Sequence, residues 1–451
     1  MTASGFASLK PLVLLAVAWE FALVMVASLF SPPMGSVGKE VGLPSSLVNF
    51  PVMDALFFHS LALPLALVLI LVTVSAFDVG GRMKAFIVYA GTAGGLVASG
   101  TMEYLLVTHG SSAAYVVMYI GMGLEAAAAV ALLVALLPRR DPSAGMRLLG
   151  RDLTKVAMWV VAAGAIIAVS IGGYAALANS QFYPSTALSE MTSLETIHEN
   201  LIITLIGSAV VVLAVRWFAA DRYRGTPGLF VKIGLYGMIV GVPVVVASML
   251  SIAATGVGLM GGVTMYMGIL LQAALFVMFA IMYGEGRRLH VRNPLAVLRE
   301  SLTFGMLFIF FWVNVAVTLP GVYVAVNLAR FNGQYLGFYY EEIFTIGHEH
   351  ALITLTAISL MMLVALMYEV RGILGAIAGL AMTSGYVVAT LANLYYMFYL
   401  IPNGPTFISY ISDGIALMFI GVLAAMVGIA LSKGGPRKLR PPMMEAAAVT
   451  N

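Results

Sequence analysis

Apolar residues in this chain come in long runs separated by short polar and basic stretches. A helix of about 20 apolar residues crosses the hydrocarbon core of a bilayer. Twelve runs reach that length, at about residues 9–31, 54–77, 84–107, 113–137, 155–179, 194–218, 229–254, 261–283, 302–327, 344–368, 373–399 and 408–432. Pro243 and Pro320 fall inside runs, which membrane helices tolerate where neighbours satisfy the backbone. The expected fold class is an all-α polytopic membrane protein with 12 transmembrane helices, and the whole of 1–451 is expected to form a single membrane domain.

Composition agrees: 61% of the 451 residues are hydrophobic and 10% are charged, a balance foreign to soluble domains. The formal net charge of +3 gives no sign of a nucleic-acid partner, because the basic residues sit in loops. No cysteine is present. That excludes disulfides, thiolate metal sites, covalent c-type haem attachment and cysteine-ligated iron–sulfur clusters. The first apolar run is too long for the core of a signal peptide.

The loops predict orientation. Arg82 and Lys84 follow run two; Arg139, Arg140, Arg147, Arg151 and Lys155 follow run four. Arg222, Arg224 and Lys232 follow run six, and Arg287, Arg288, Arg292 and Arg299 follow run eight. The tail carries Lys433, Arg437, Lys438 and Arg440, whereas the opposite loops carry only Lys39 and Arg330. The positive-inside rule puts both termini in the cytoplasm of a multi-pass protein of the cell membrane, which an even number of helices permits.

The chain also repeats itself. Ile197-His198-Glu199-Asn200 and the residues to Leu205 match Gly347-His348-Glu349-His350 and the residues to Leu355. A fainter echo begins at Phe58-His59. Each copy opens the second helix of a four-helix block, the blocks being roughly 1–150, 151–295 and 296–451. Parallel repeats of this kind predict three four-helix arcs in a pseudo-threefold arrangement.

Helices two, six and ten are expected to run from outside to inside, with His59, His198, His348 and His350 three to seven residues into them. These four would share a layer near the outer surface. His348 and His350, two apart, project about 200° from each other, so one helix would present two ligands on opposite sides. A histidine inside a membrane needs a partner. Ligation of metal or haem iron is one role, and hydrogen bonding between helices is the other. His109 is expected to face water at the outer end of helix three, and His290 to lie in a basic cytoplasmic loop.

Twelve helices, three arcs, one histidine each in helices two and six, and His348-Glu349-His350 in helix ten resemble the catalytic subunit of the haem–copper oxidase and nitric oxide reductase superfamily, the cytochrome c oxidase subunit I-like proteins. The resemblance implies that His59 and His350 clamp a low-spin haem. It implies that His348 is the axial ligand of a second haem and that His198 binds a metal across it. One or two b-type haems follow, with other respiratory subunits as partners, a cytochrome or cupredoxin on the outer side, and quinol. Propionates near the outer surface want cations, so Arg330, and after it Lys39, are expected beside them.

The departures are specific. Helix seven lacks the family's paired histidines, so copper would rest on His198 alone and be poorly coordinated. No tyrosine motif follows His198, Ile202 stands where nitric oxide reductases place a glutamate, and the outer loop 401–407 lacks the arginine pair. Gly234, Gly237 and Gly241 suggest room for helix six to move in and close the second iron with His198. Three functions therefore stand: an electron-transferring haem subunit, a terminal oxidase or nitric oxide reductase with an atypical binuclear centre, and a haem-free transporter. If catalytic, the chain is an oxidoreductase. The histidine spacing of bc-complex cytochromes is absent.

Other polar residues fall in the runs. Glu20, Glu103, Glu125 and Asp413 are candidates for proton movement, Glu125 foremost. Asn314 and Asn393 suit interhelical hydrogen bonds, and Tyr395, Tyr396 and Tyr399 suit an interfacial aromatic belt.

Overall fold

The computed structural model describes residues 9–30, 52–108, 112–142, 144–182, 188–218, 225–255, 260–288, 298, 300–326, 338–398 and 400–432. Each of the twelve predicted runs is a helix. They are α1 (Lys10–Phe30), α2 (Val52–Ala76), α3 (Gly81–Thr108), α4 (Ser112–Ala135), α5 (Leu153–Phe182), α6 (Leu188–Phe218), α7 (Gly225–Thr255) and α8 (Met260–Arg288). Then come α9, built from Ser301–Val313, a π-helical turn Asn314–Thr318 and Leu319–Val326, followed by α10 (Phe338–Met367), α11 (Gly372–Phe398) and α12 (Leu400–Leu431). Among the described residues, nine of these helices (α2 to α7, α9, α11 and α12) are long and apolar enough to cross a membrane. The chain is a helical membrane protein.

Pro320 accounts for the π turn. It has no N–H for the carbonyl four residues back, at Ala316, and its ring crowds that carbonyl. The helix widens so that the Leu319 amide donates to the Asn314 carbonyl.

Two turns are alike. After α2, Asp78 takes φ 52° and Gly81 φ 65°; after α10, Glu369 takes φ 58° and Gly372 φ 64°. In the first, the Asp78 amide donates to the Ser75 carbonyl and the Val79 amide to Val74. In the second, Glu369 donates to Leu366 and Val370 to Ala365. Both are Schellman closures that use a left-handed residue to satisfy the last helical carbonyls. Both join the second helix of a predicted block to its third.

The chain forms two compact units, Met1–Ala135 with Met361–Arg437, and Leu136–Leu360 with Lys438–Asn451. In the first, α1 packs on α2, α3 and α12, α2 on α3 and α4, α3 on α4, and α11 on α12. Small residues let backbones meet, the usual route to close helix packing in lipid. A Cβ on Gly94 of α3 would lie 2.5 Å from the Glu125 backbone nitrogen of α4, and one on Gly385 of α11 2.5 Å from the Gly414 carbonyl of α12. Lys10 closes α12 by donating from Nζ to the carbonyls of Ala430 at 3.1 Å and Ser432 at 2.6 Å.

In the second unit α5 packs on α6 and α7, α6 on α7 and α8, α7 on α8, and α8 on α9. A short hairpin, β1 (Arg147–Leu148) and β2 (Arg151–Asp152), leads into α5. Asp152 is the N-cap of α5: its Oδ1 accepts from the Thr154 amide at 2.9 Å and the Thr154 hydroxyl at 2.7 Å. Its Oδ2 accepts from Arg216, at the C-terminal end of α6, at 2.7 Å. Asp152 is buried, so its removal strips a cap and takes a carboxylate from the Arg216 guanidinium. Asp152→Ala is expected to destabilise the protein by about 2–3 kcal/mol, read as a lower thermal midpoint in detergent. An unchanged midpoint would mean that the clamp contributes nothing.

Candidate functional site

His198 is the best-defined of the proposed ligands. It sits on α6, half-buried, with Nδ1 2.8 Å from the carbonyl oxygen of Ala168 on α5. A carbonyl only accepts, so Nδ1 carries the hydrogen; in a neutral imidazole that leaves the lone pair on Nε2. The ring lies directly on the α5 backbone at Gly172, where a Cβ would collide with Cε1, Nδ1 and Nε2. Gly173, one residue on, has open space at its Cβ position. Ala168 and Gly172, one helical turn apart, thus form a seat that holds one imidazole in one tautomer. Metal-bound imidazoles are commonly held this way, donating the other ring N–H to a carbonyl.

His59 lies on α2 and is also half-buried. Its neighbour Ser60 is fully buried and donates from Oγ to Glu103 Oε1 at 2.8 Å, tying α2 to α3 beside the histidine. His348 and His350 are in helical backbone of α10, and their side chains lie outside the described residues, as do His109, His290, Lys39 and Arg330. Whether the four proposed ligands converge lies outside the described geometry. Among the described residues no group of three histidine or acidic side chains is placed to hold a metal ion.

Two expectations are corrected. Helices α6 and α10 start at Leu188 and Phe338, six residues before the predicted 194 and 344. His198 and His348 are therefore ten residues from their helix starts, about 15 Å at the α-helical rise. His59 and His350 are seven and twelve residues in, about 10 and 18 Å. His198 and His348 are thus level with each other at ten residues along α6 and α10, with His59 nearer to its helix start and His350 further from its own. The glycines of α7, expected to leave room for α6, face α8 instead. A Cβ on Gly234 would strike Val277, one on Gly241 would strike Leu270, and Gly237 lies against Ala273. Space for an inward shift of α6 is not found there.

The acidic residues divide by environment. Glu125 is buried between α3 and α4, against Gly95 and near Leu67 of α2, and neither carboxyl oxygen has a partner among the described residues. Glu103 uses one oxygen on Ser60, and Glu20 has one buried oxygen without a partner. Asp413 is exposed on α12. Glu285 of α8, absent from the expected set, is completely buried; it follows Gly284 and precedes Gly286 close to the basic end of the run, where hydropathy alone reads as a helix end. Asn314 is buried and donates from Nδ2 to the Phe310 carbonyl at 3.0 Å, within its own helix. Tyr395 is exposed, in keeping with an outward-facing ring, and Asn393 is half-buried.

Comparison with known proteins yields no match to any family model, to any curated protein or to any solved structure.

Proposed function

We propose that the chain is a haem-binding, multi-pass subunit of a respiratory chain, a divergent relative of the haem–copper oxidase and nitric oxide reductase catalytic subunits. It would pass electrons between quinol and a cytochrome or cupredoxin on the outer side. The observation that carries the proposal is the seat of His198: an imidazole between two helices, with Nδ1–H fixed on a carbonyl, as metal-bound imidazoles are commonly held. His59 and His350 would hold a low-spin haem and His348 and His198 the second site, with Arg330 toward a propionate. Bound haem supplies one-electron transfer. The chain's own part is to fix tautomers, to shelter the iron ligands from water and to bring cations to the carboxylates. Twelve spans in three arcs with both termini inside belong to the same proposal. They are supported by the twelve helices, the nine that are long and apolar enough, and the twin turns after α2 and α10.

A second reading has one observation in its favour. The bond from His198 to Ala168 also joins α5 to α6, as interhelical hydrogen bonds do in haem-free membrane proteins. Gly172→Ala separates the two, because it displaces the ring without deleting it. With a metal at Nε2, the reduced-minus-oxidised spectrum of the purified protein changes in Gly172→Ala as it does in His198→Ala, while Gly173→Ala leaves it alone. A colourless wild-type protein rejects the haem proposal. Carbon monoxide then sorts the chemistry: rapid binding to the reduced protein marks an open iron and favours an oxidase or nitric oxide reductase, to be followed by copper analysis. Two haems per chain without binding mark an electron carrier.

A further inference from the structure

The segment between α4 and α5 uses its arginines in an unusual way. Leu148 pairs with Arg151 across the hairpin, and Arg151 pairs on its other side with Arg140. The Asp141 amide donates to the Gly150 carbonyl at 2.9 Å and locks that second pairing. Directly opposed residues on antiparallel strands share a face, with Cβ atoms about 5 Å apart. Arg140 and Arg151 are therefore held side by side on one face, an arrangement that costs stability when nothing lies between the charges. Both are exposed, and among the described residues neither makes an ion pair. The nearby Asp152 is engaged elsewhere, binding Arg216 and capping α5.

The tip adds an independent observation. Leu149 and Gly150 turn the chain with φ 51° and 77°, positive at both central positions, as in a type I′ turn. That turn favours asparagine at its first position, and left-handed backbone strains leucine through its Cβ. Yet the side chain there is leucine, and it is 86% exposed. An apolar tip on a strained turn, beside paired arginines, lies within a few residues of two membrane helices: α4 ends at Ala135 and α5 begins at Leu153, straight after β2. Connectivity alone keeps the hairpin at the headgroup layer.

We infer that this hairpin binds an anionic phospholipid of the surrounding bilayer, with Arg140 and Arg151 bracketing the headgroup phosphate and Leu149 entering the acyl boundary. Two guanidinium forks on one phosphate give charge-assisted, geometrically selective hydrogen bonds. The like-charge pair and the strained leucine are both explained by the same occupant. Arg147, opposite Asp152 on the other face of the hairpin, takes no part.

The full-length protein in detergent, titrated with dioleoylphosphatidylglycerol and dioleoylphosphatidylcholine by native mass spectrometry, tests this. The wild type is expected to bind the anionic lipid about tenfold more tightly than the zwitterionic one, and Arg140→Gln with Arg151→Gln to lose that preference. Arg139→Gln with Arg147→Gln removes the same charge and is expected to keep it. Leu149→Asn suits the turn, so it is expected to hold or raise the thermal midpoint while weakening phosphatidylglycerol binding severalfold. Equal loss in both double variants would reduce the effect to net charge and overturn the site. So would absence of lipid preference in the wild type, or displacement of the lipid by inorganic phosphate at equal concentration.

Discussion

Gly121→Leu is expected to break the packing of α3 on α4 and to be among the most destabilising single substitutions in the protein. A Cβ at Gly121 would lie 2.7 Å from the Ala98 backbone nitrogen and 3.0 Å from its Cα. From the other side, a Cβ at Gly94 would meet the Glu125 nitrogen at 2.5 Å and the Gly121 carbonyl at 2.6 Å. The obstacles are main chain on both helices, so no rotamer change relieves them. Overpacking a core that can adjust costs about 1–3 kcal/mol; here the helices must separate, and a cost of at least about 3 kcal/mol is expected. Gly123, two residues along the same helix, has nothing within 4 Å of its Cβ position, and Gly123→Leu is expected to be nearly neutral. Thermal unfolding in detergent reads both. Equal behaviour of the two variants would show that backbone contact between α3 and α4 is not what limits stability.

If the chain holds haem as proposed, His59→Ala and His350→Ala are each expected to abolish the low-spin haem signal. Each would remove one of two axial ligands, and an iron left with one strong axial ligand becomes high-spin or loses its haem. His59 is half-buried, and its helix is tied to α3 by the Ser60–Glu103 bond one residue away. His350 sits twelve residues into α10, against seven for His59 in α2. His109→Ala, expected to face water, serves as the control and should leave the spectrum unchanged. If His59→Ala and His350→Ala both retain the wild-type spectrum, the pairing is wrong, whatever else the chain binds.

The helices were legible because a bilayer demands a length, and twelve stretches of this chain supply it or come near it. Their starts were less legible. Residues 188–196 and 338–346 include Glu190, Glu195, Glu341 and Glu342, which lower hydropathy but form helix readily. A hydropathy reading stops where lipid-like composition stops, whereas the backbone continues into the polar layer. The burial of Glu285 was missed for a related reason, since its sequence neighbours are the basic residues of a helix end.

By itself the sequence determined that the protein is helical, that it belongs in a membrane, and roughly where its twelve helices run. These are local properties, set by the apolar content of a single run. Only the tertiary structure decided what those helices press against. It put His198 on the Ala168–Gly172 seat of α5, turned the glycines of α7 toward α8, placed Glu125 on the backbone of α3, and brought Arg140 beside Arg151. Each depends on the rotation and register of one segment against another. In a chain whose helices are apolar nearly all round, no amphipathic stripe announces which face turns inward. Close fit of small residues and a few polar bonds make that choice, and they exist only once the segments have met.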